Sequence, residues 1–248
     1  MYDFSEKIIV VTGAGKGIGK VIAGRFLKEG AKGLALLDFN DALLQATAKE
    51  LDRLGKTVLA VCCDVSKEDS VAAAFQAIYD RFGRVDVLVN NAGITRDAMF
   101  HKMTPAQMHQ VMDVNFFGTY NCIYRVTPGM REQDYGRIIN ISSTSSYGNV
   151  GQANYSASKA AIEGLTRTLA KELGRKHITV NCILPGYIDT EMMRAIPEDM
   201  LERAINNTPQ KRLGQPEEVA ALTAFLASDE ASYVSGACII CSGGSVIH

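Results

Sequence analysis

The chain has 248 residues, of which 47% are apolar and 21% charged, and its formal net charge at pH 7 is -1. These proportions are typical of a soluble enzyme, and so small a net charge argues against nucleic acid or an anionic membrane surface as a partner. The sequence has no apolar run of the ~20 residues that cross a bilayer and no amino-terminal secretion signal. We therefore expect a cytoplasmic protein with no nucleic-acid or membrane partner.

Strand-like runs rich in β-branched residues alternate with longer stretches of helical periodicity. Strands are predicted at Ile8–Thr12, Leu34–Asp38, Val58–Asp64, Val85–Asn90, Arg137–Ser142, Thr179–Leu184 and Cys238–Cys241. Helices are predicted near 18–29, 41–54, 67–82, 105–130, 153–173 and 216–227. This alternation is typical of a parallel sheet covered on both faces. The prediction is a single doubly wound α/β domain over residues 1–248, a Rossmann-type sheet of about seven strands with helices on both faces.

Smaller signals accompany this pattern. Pro105 follows a predicted N-cap at Thr104, and Gly30, Gly55 and Gly174 lie where helices are expected to end. The stretch 189–214 interrupts the alternation, is rich in methionine and directly follows the sixth strand. Because ligands bind beyond the carboxyl ends of parallel strands, we interpret 189–214 as a substrate lid, with a plain surface excursion as the alternative.

Six cysteines occupy positions 62, 63, 122, 182, 238 and 241. Cys238 and Cys241 have CxxC spacing, but no second pair or histidine cluster completes a metal site. We expect buried, reduced thiols and no metal.

A glycine-rich loop connects the first strand to the first helix. Its residues are Gly13, Gly15, Lys16, Gly17, Ile18 and Gly19. Glycine lets the backbone turn tightly and approach a pyrophosphate closely, while the helix N-terminus supplies donors. We predict that this loop binds a dinucleotide.

Asp38 ends the second predicted strand, at the position where a carboxylate accepts hydrogen bonds from an adenosine ribose and repels a 2′-phosphate. The residues that follow it, Phe39 and Asn40, are not basic. Lys16 is the opposing observation, because a basic loop residue could hold a phosphate. The prediction is NAD, with NADP the less favoured cofactor.

Asp64 ends the third predicted strand, immediately before Val65. We predict that these two residues meet the adenine, and an N-cap for the next helix is the alternative role of Asp64.

Tyr155 and Lys159 are separated by four residues in a predicted helix, which places them on one face about one turn apart. A free phenol titrates near pH ~10, and a nearby cation can lower that value by roughly 1–3 units. The pair could therefore exchange a proton near neutral pH, although the same spacing occurs on many solvated helices.

Several motifs together resemble one known family. They are Thr12–Gly19, Asn90–Gly93, Asn115, the pair Ser142 and Ser143, Tyr155–Lys159, and Pro185 with Gly186. They occur in the order and spacing of the short-chain dehydrogenase/reductase family, over nearly the whole chain. Residues 90–97, 151–155, 212–214 and 226–230 are more specifically similar to bacterial 3-oxoacyl-[acyl-carrier-protein] reductases.

The resemblance implies an active site. Tyr155 would exchange a proton with the substrate oxygen while hydride moves to or from the nicotinamide. Lys159 would lower the phenol's pKa and hold the nicotinamide ribose, and Asn115 would support a water path from Lys159 to solvent. Further cofactor contacts would come from Asn90, Asn91, Ala92, Gly93, Pro185, Gly186, Ile188 and Thr190.

The resemblance also implies a serine that hydrogen-bonds the substrate oxygen. Counting back from the tyrosine selects Ser142, whereas alignment of the preceding strand selects Ser143. A loop absorbs a one-residue deletion more readily than a strand, in which a slip turns every side chain to the other face. The prediction is therefore Ser143.

The function predicted on this basis is NAD(H)-dependent interconversion of a 3-oxoacyl thioester and its 3-hydroxyacyl form. Carrier-protein reductases usually take NADPH and have basic residues before the fifth strand, whereas residues 131–135 here have mixed charge and only Arg175 and Lys176 form a basic pair. Binding of acyl carrier protein is therefore doubtful, and a coenzyme A thioester fits as well. The alternatives are dehydrogenation of another secondary alcohol and, remotely, a non-catalytic nucleotide-binding protein. The resemblance further implies a homotetramer with 105–130, 153–173 and the C-terminal segment at its interfaces.

Overall fold

The computed structural model of the protein describes residues 2–194 and 196–247, and in this part of the chain seven strands alternate with nine α-helices. The strands are β1 (Ile8–Thr12), β2 (Gly33–Asp38), β3 (Val58–Cys62), β4 (Val87–Asn90), β5 (Gly136–Ile141), β6 (Ile178–Pro185) and β7 (Cys238–Cys241). The helices are α1 (Gly17–Lys28), α2 (Asp41–Leu51), α3 (Glu68–Phe82), α4 (Pro105–Met112), α5 (Gly118–Glu132), α6 (Ala153–Leu173), α7 (Glu191–Arg194), α8 (Glu198–Asn207) and α9 (Pro216–Ala227).

The strands form one parallel sheet in the order β3-β2-β1-β4-β5-β6-β7, which confirms the predicted doubly wound Rossmann-type fold. The order reverses between β1 and β4, where Ile9 lies opposite Val87. At such a reversal the connections leave toward opposite faces of the sheet and open a crevice beyond the carboxyl ends of the strands. The glycine loop and the segments after β4, β5 and β6 all lie at this edge.

Apolar side chains fill both faces of the sheet. Ile9 and Val11 of β1 belong to a core shared with α1 and α9, whereas Val10 belongs to a core shared with α3 and α5. Side chains alternate between the two faces of a strand, and here both faces are buried. This double burial explains why the strands have unbroken apolar sequences instead of alternating ones.

The predicted helix 105–130 is interrupted in the structure. α4 begins with a capping box, in which the Thr104 hydroxyl accepts from the Gln107 backbone at 3.3 Å and the Gln107 side chain accepts from the Thr104 backbone at 2.9 Å. A π-helical turn, Asp113–Phe117, then separates α4 from α5. Such turns are rare and are frequent at functional sites. Asn115 lies at its centre.

Several other helices and strands begin or end at residues different from those predicted. α2 ends at Leu51 and not at residue 54, because the Asp52 carboxylate accepts from the Thr57 and Val58 amides at 2.6 and 3.0 Å and turns the chain into β3. β3 ends at Cys62 rather than Asp64, and β4 begins at Val87 rather than Val85. Gly174 keeps a helical φ of -58°, and the left-handed residue after α6 is His177 with φ 50°.

The stretch 189–214 contains the short helices α7 and α8. Its two ends meet, because Ile188 and Gly214 form a β-bridge and the Asp189 amide donates to the Gly214 carbonyl at 2.8 Å. The segment is thus a loop closed at its base beyond β6. Within the described residues, none of the helices has the length and apolarity that a bilayer span requires.

Candidate active site

The glycine loop presents free backbone donors at the start of α1. Lys16 occupies the N-cap of this helix but its side chain makes no capping hydrogen bond, so the first amides of the helix are left for another acceptor. Gly17 has φ 57°, and a Cβ added to it would have no neighbour within 4 Å. An open glycine beside unpaired helix N–H groups fits the pyrophosphate of a dinucleotide.

The other glycines allow the loop to pack against the rest of the fold. A Cβ on Gly13 would lie 2.8 Å from Ala92 Cα, and a Cβ on Gly19 would lie 2.2 Å from the Gly13 carbonyl oxygen. Gly13 also has φ 63°, which a larger side chain rarely adopts. These two glycines therefore shape the loop, whereas Gly17 leaves space for a ligand.

Asn91 fixes the loop to β1 and β4. Its amide nitrogen donates to the carbonyls of Thr12 and Gly13, both at 3.0 Å. The Thr12 hydroxyl in turn accepts from the backbone amides of Asn91 and Ala92 at 3.0 Å. Asn91 was expected to contact the cofactor. In the structure its side-chain nitrogen donates to the glycine loop and holds the loop in place.

The Asp38 carboxylate is held at the end of β2. One oxygen accepts from the Gly15 amide and the other from the Asn40 amide, each at 2.9 Å. Phe39 beside it is 75% exposed. The carboxylate therefore faces the glycine loop, and each of its oxygens keeps acceptor capacity for a further donor.

Asp64 and Val65 follow β3 near the same edge. The Asp64 carboxylate accepts from the Ser66 hydroxyl at 2.6 Å and from the Ser66 amide at 3.0 Å. The alternative role of Asp64 as the N-cap of the next helix is wrong, because α3 begins at Glu68 and its N-cap is Lys67. Val65 is buried, and a Cβ on Gly118 of α5 would lie 2.6 Å from its side chain.

Tyr155, Lys159 and a serine meet at the carboxyl end of β5. Tyr155 and Lys159 lie on α6, and the Lys159 Nζ is 5.5 Å from the centre of the Tyr155 ring. The hydroxyl of Ser143, just after β5, is close enough to the Tyr155 phenol to lower its pKa by hydrogen bonding. The structure therefore brings a phenol, a hydroxyl donor and an ammonium together at one point of the crevice.

Ser142 points in the opposite direction from Ser143. Its hydroxyl is buried and donates to the Lys159 carbonyl at 3.0 Å, with the Glu163 carboxylate at 3.4 Å. Successive side chains at a strand end face opposite sides of the sheet. Ser142 thus ties β5 to α6, and Ser143 is the serine that faces Tyr155.

Burial dominates the protonation of both α6 residues. The Lys159 ammonium donates to the Ile141 carbonyl at 2.7 Å, and its burial lowers its pKa from 10.5 to about 8. We expected Lys159 to lower the pKa of Tyr155, but burial raises that pKa above its ordinary value of 10. The Ser143 hydrogen bond opposes this rise, whereas the Asp97 carboxylate adds to it. Tyr155 is therefore a protonated phenol at neutral pH, ready to donate.

Asn115 connects the catalytic helix to the segment after β4. Its side-chain oxygen accepts from the Ile94 amide at 2.8 Å, and its nitrogen donates to the Ile94 carbonyl at 3.1 Å and the Ser158 hydroxyl at 3.0 Å. These side-chain partners are distant in sequence, and the backbone carbonyl of Asn115 accepts from the nearby Thr119 hydroxyl at 2.8 Å. Asn115 thus holds residues 93–94 beside α6, and a Cβ on Gly93 would lie 3.5 Å from the Lys159 Nζ.

The segment after β6 completes the crevice. The Gly186 amide donates to the Cys241 carbonyl at 3.0 Å, and a Cβ on Gly186 would lie 2.8 Å from Ser242 Cβ. Ile188 is buried at the base of the loop, and the Thr190 hydroxyl accepts from the Met193 amide at 3.4 Å. Pro185 ends β6, and its carbonyl accepts from the Thr144 hydroxyl at 3.3 Å.

Two residues that shape the site lie within the quoted motifs but had no role of their own predicted from the sequence. Thr12 anchors the start of the segment after β4, and Ser158 connects Asn115 to α6. Thr12 could have been found, because a lone hydroxyl ends an otherwise apolar buried strand. Ser158 had no such signal, since its partner is 43 residues away.

Comparison with known proteins places this geometry in a family. The family model described as enoyl-(acyl carrier protein) reductase matches residues 13–246. An acetoacetyl-CoA reductase of Shinella zoogloeoides is 46% identical, over 96% of this chain and 98% of the relative. A 3-oxoacyl-[acyl-carrier-protein] reductase of Thermotoga maritima is 43% identical, over 97% of this chain and 98% of the relative.

The fold comparison agrees with the sequence comparison. A crystal structure of levodione reductase superimposes with a TM-score of 0.93 at 36% sequence identity, covering 99% of this chain and all of that one. The resemblance to 3-oxoacyl reductases inferred from the motifs is thus confirmed, and with it the expectation of an enzyme that uses a nicotinamide cofactor. The chain belongs to the short-chain dehydrogenase/reductase family.

Proposed function

We propose that the protein reduces a 3-oxoacyl thioester to its 3-hydroxyacyl form, and catalyses the reverse reaction, with NADH as the preferred electron donor. The observation that carries this proposal is that Ser143, Tyr155 and Lys159 lie together at the edge of the sheet where the glycine loop also lies. The high identity to an acetoacetyl-CoA reductase and to 3-oxoacyl-[acyl-carrier-protein] reductases supports the substrate class.

The proposed proton transfer follows from the protonation of the site. The nicotinamide, when bound, supplies the hydride. Tyr155 donates its phenolic proton to the carbonyl oxygen as negative charge develops there, and its raised pKa keeps that proton available at neutral pH. Ser143 donates a hydrogen bond to the same oxygen. Lys159 stays charged below about pH 8 and stabilises the phenolate that remains on Tyr155.

Asn115 has a positioning role in this proposal. Its three side-chain hydrogen bonds hold the chain after Gly93 against α6, so the backbone facing the Lys159 Nζ is fixed. From this place it supports the path by which protons reach Lys159 from solvent.

The catalytic assignment is tested with acetoacetyl-CoA and NADH. Tyr155→Phe should abolish turnover and leave NADH affinity, measured by fluorescence titration, nearly unchanged, because only the phenolic oxygen is removed. Tyr135→Phe is the matched control, since that hydroxyl bonds Asp229 at 2.9 Å, outside the crevice. Substantial turnover by Tyr155→Phe would refute the proton-transfer assignment.

The preference for NAD rests on Asp38. The Gly15 and Asn40 amides hold its carboxylate rigidly toward the loop, and no cation follows it in sequence. The hydroxyls of an adenosine ribose can donate to this carboxylate, whereas a 2′-phosphate would be repelled by it. The opposing cation, Lys16, has its ammonium 3.6 Å from the Glu191 carboxylate, so part of its charge is already compensated.

The cofactor proposal is tested by kcat/KM for NADH and NADPH. We expect the wild type to have a higher kcat/KM for NADH than for NADPH. In Asp38→Ala the difference between the two values should become smaller. Asp41→Ala, which removes a nearby carboxylate that accepts from the Gln45 side chain at 3.0 Å, should leave the ratio of the two kcat/KM values unchanged. A wild-type preference for NADPH would contradict the role given to Asp38.

The remaining cofactor contacts are proposed from the same crevice. The amides of Gly17, Ile18 and Gly19 would hold the pyrophosphate, and Asp64 with Val65 would border the adenine. Backbone around Ala92 and Gly93 and the segment Pro185–Thr190 would line the nicotinamide half. The loop 189–214, closed at its base by the Ile188–Gly214 bridge, would cover the substrate as a lid.

A coenzyme A thioester is favoured over a carrier-protein thioester. Lys176, half of the basic pair, has its ammonium 3.6 Å from the Asp134 carboxylate, which also bonds the His177 ring at 2.9 Å. The acidic partner reduces the positive surface that an acidic carrier would require. A higher kcat/KM for acetoacetyl-carrier protein than for acetoacetyl-CoA would reverse this choice.

A second candidate is the reduction of a different ketone. The chain superimposes with a TM-score of 0.93 on levodione reductase, an enzyme whose name indicates a substrate other than an acyl thioester. This similarity supports a free ketone as the alternative substrate. A panel of thioesters and free ketones, each with both cofactors, separates the two. The candidate with the higher kcat/KM identifies the substrate class.

Assembly as a homotetramer is proposed from the outer face of α5 and the turn before it. Phe117, Tyr120 and Tyr124 are each about half exposed there, and Tyr120 stacks on Tyr124 with ring centres 6.1 Å apart. An exposed aromatic stripe on one helix is typical of an interface with a second copy. Sedimentation of Tyr124→Glu should show dissociation, whereas Leu54→Glu, on the exposed turn after α2, should not.

A further inference from the structure

Two cysteines face each other on the last two strands of the sheet. Cys182 of β6 and Cys238 of β7 are in direct register. Neighbouring strands are about 4.8 Å apart, and a disulfide joins Cα atoms about 4.4–6.8 Å apart. The two side chains project from the same face of the sheet into one apolar cluster, and each thiol changes the pKa of the other. The register thus places the two Cα atoms within the range that a disulfide spans.

The pair belongs to one small apolar cluster, and the other nearby cysteine does not. Cys182 packs with Ile162 of α6 and Leu184, and Cys238 packs against them. Cys241, three residues after Cys238, packs into the core on the opposite face. The CxxC spacing therefore does not bring Cys238 and Cys241 together, and the thiol partner of Cys238 is Cys182.

The two thiols differ in a way that suits oxidation. Cys238 is partly exposed, and the hydrogen bond from Cys182 together with the nearby Arg167 guanidinium lowers its pKa. Cys182 is completely buried, and its hydrogen bond to Cys238 and its burial raise its pKa. The thiolate is the nucleophile in cysteine oxidation. Cys238 is thus the more reactive of the two thiols, and Cys182 lies opposite it to resolve the product.

The pair is also connected to the catalytic site. The Cys182 thiol interacts electrostatically with the Lys159 ammonium. β7 supports the cofactor edge as well, because the Cys241 carbonyl accepts from the Gly186 amide at 3.0 Å. A change at the sulfurs therefore reaches both Lys159 and the segment after β6.

We propose that Cys182 and Cys238 form a reversible disulfide when the protein meets a peroxide, and that this bond slows the enzyme. The Cys238 thiolate attacks one oxygen of hydrogen peroxide, the O–O bond breaks, and a sulfenic acid and hydroxide result. The Cys182 thiol then displaces the sulfenic oxygen as water and forms the S–S bond. Two thiols are oxidised and one peroxide is reduced to water. A dithiol reductant restores the pair.

The test uses the intact, pre-reduced enzyme and hydrogen peroxide. After a timed exposure, free thiols are alkylated, the protein is digested without reduction, and peptides are identified by mass spectrometry. We expect a linked peptide containing Cys182 and Cys238, and a loss of ketoreductase activity over the same time course. Dithiothreitol should restore the activity. The linked peptide is measured without substrate, so this result does not depend on the proposed substrate or cofactor.

Three variants separate this disulfide from other oxidation. Cys238→Ser should give no linked peptide and should resist peroxide. Cys241→Ser should still give the linked peptide, and Cys62→Ser should behave as the wild type does. Cys62 is the exposed cysteine and controls for oxidation at the surface. The inference fails if the linked peptide does not form, if Cys238→Ser loses activity as fast as the wild type, or if the disulfide leaves kcat unchanged.

Discussion

Lys159 is a buried ammonium, 3% exposed, whose pKa is lowered by burial from 10.5 to about 8. The two values differ by about 2.5, and each pKa unit corresponds to about 1.4 kcal/mol, so the charged form destabilises the fold by roughly 3 kcal/mol. Between pH 8 and 10.5 the unfolded chain binds the additional proton. The contribution of this group to the free energy of unfolding therefore rises with pH across that window.

Lys159→Met should raise the free energy of unfolding, because it removes the buried charge, and should abolish activity. Methionine removes the charge but leaves the Ile141 carbonyl without its donor at 2.7 Å, which costs about 1–2 kcal/mol. We expect the variant to be inactive and more stable than the wild type by roughly 1–2 kcal/mol at pH 7. Toward pH 10 this advantage should disappear, because the wild-type amine then loses its proton.

The measurement is urea unfolding at pH 7 and at pH 9.5, at one protein concentration, because assembly would make stability depend on concentration. Tyrosine fluorescence and circular dichroism serve as probes, since the chain has no tryptophan. Lys32→Met, at an exposed lysine paired with Glu6, is the control and should show a small shift that does not change with pH. A Lys159→Met variant less stable than the wild type at pH 7, or equally shifted at both pH values, would refute the reasoning.

Three further outcomes are expected. Ser143→Ala should lower kcat by about 10²–10³-fold, whereas Ser142→Ala should affect it far less, which single-turnover rates will show. Gly19→Ala should abolish dinucleotide binding in a fluorescence titration, because its Cβ would lie 2.2 Å from the Gly13 carbonyl oxygen; Gly24→Ala, with its nearest contact at 3.4 Å, should bind normally. Since burial raises the pKa of Tyr155, alcohol oxidation should accelerate as the pH rises above neutrality, and a rate maximum near pH 7 would contradict this.

The sequence was a good guide wherever a signal was local or periodic. Unbroken apolar runs predicted all seven strands, because a strand buried on both faces has no polar side. The start of α4 was equally local, since Thr104 and Pro105 form a cap within one turn. The π-helical turn at Asp113–Phe117 had no such local signal, and the Asn115 side chain within it bonds Ile94, 21 residues away.

The pairing of the cysteines likewise depends on long-range structure and not on local sequence. The CxxC spacing in the sequence pairs Cys238 with Cys241. Because side chains alternate along a strand, residues three apart lie on opposite faces of the sheet. The register between β6 and β7 instead brings Cys238 to Cys182, 56 positions earlier in the chain. Strand pairing is a long-range property, and no periodicity within either strand encodes its partner.

By itself the sequence determined the fold class, the glycine loop, and the residues Tyr155 and Lys159 with their four-residue step, because chain geometry fixes these from neighbouring residues. Only the tertiary structure decided which serine faces Tyr155 and how Asn91 is used. It also decided the protonation of the site. A cation one turn away suggested a lowered phenol pKa, but the burial of Tyr155 raises it, and burial depends on every element packed around α6.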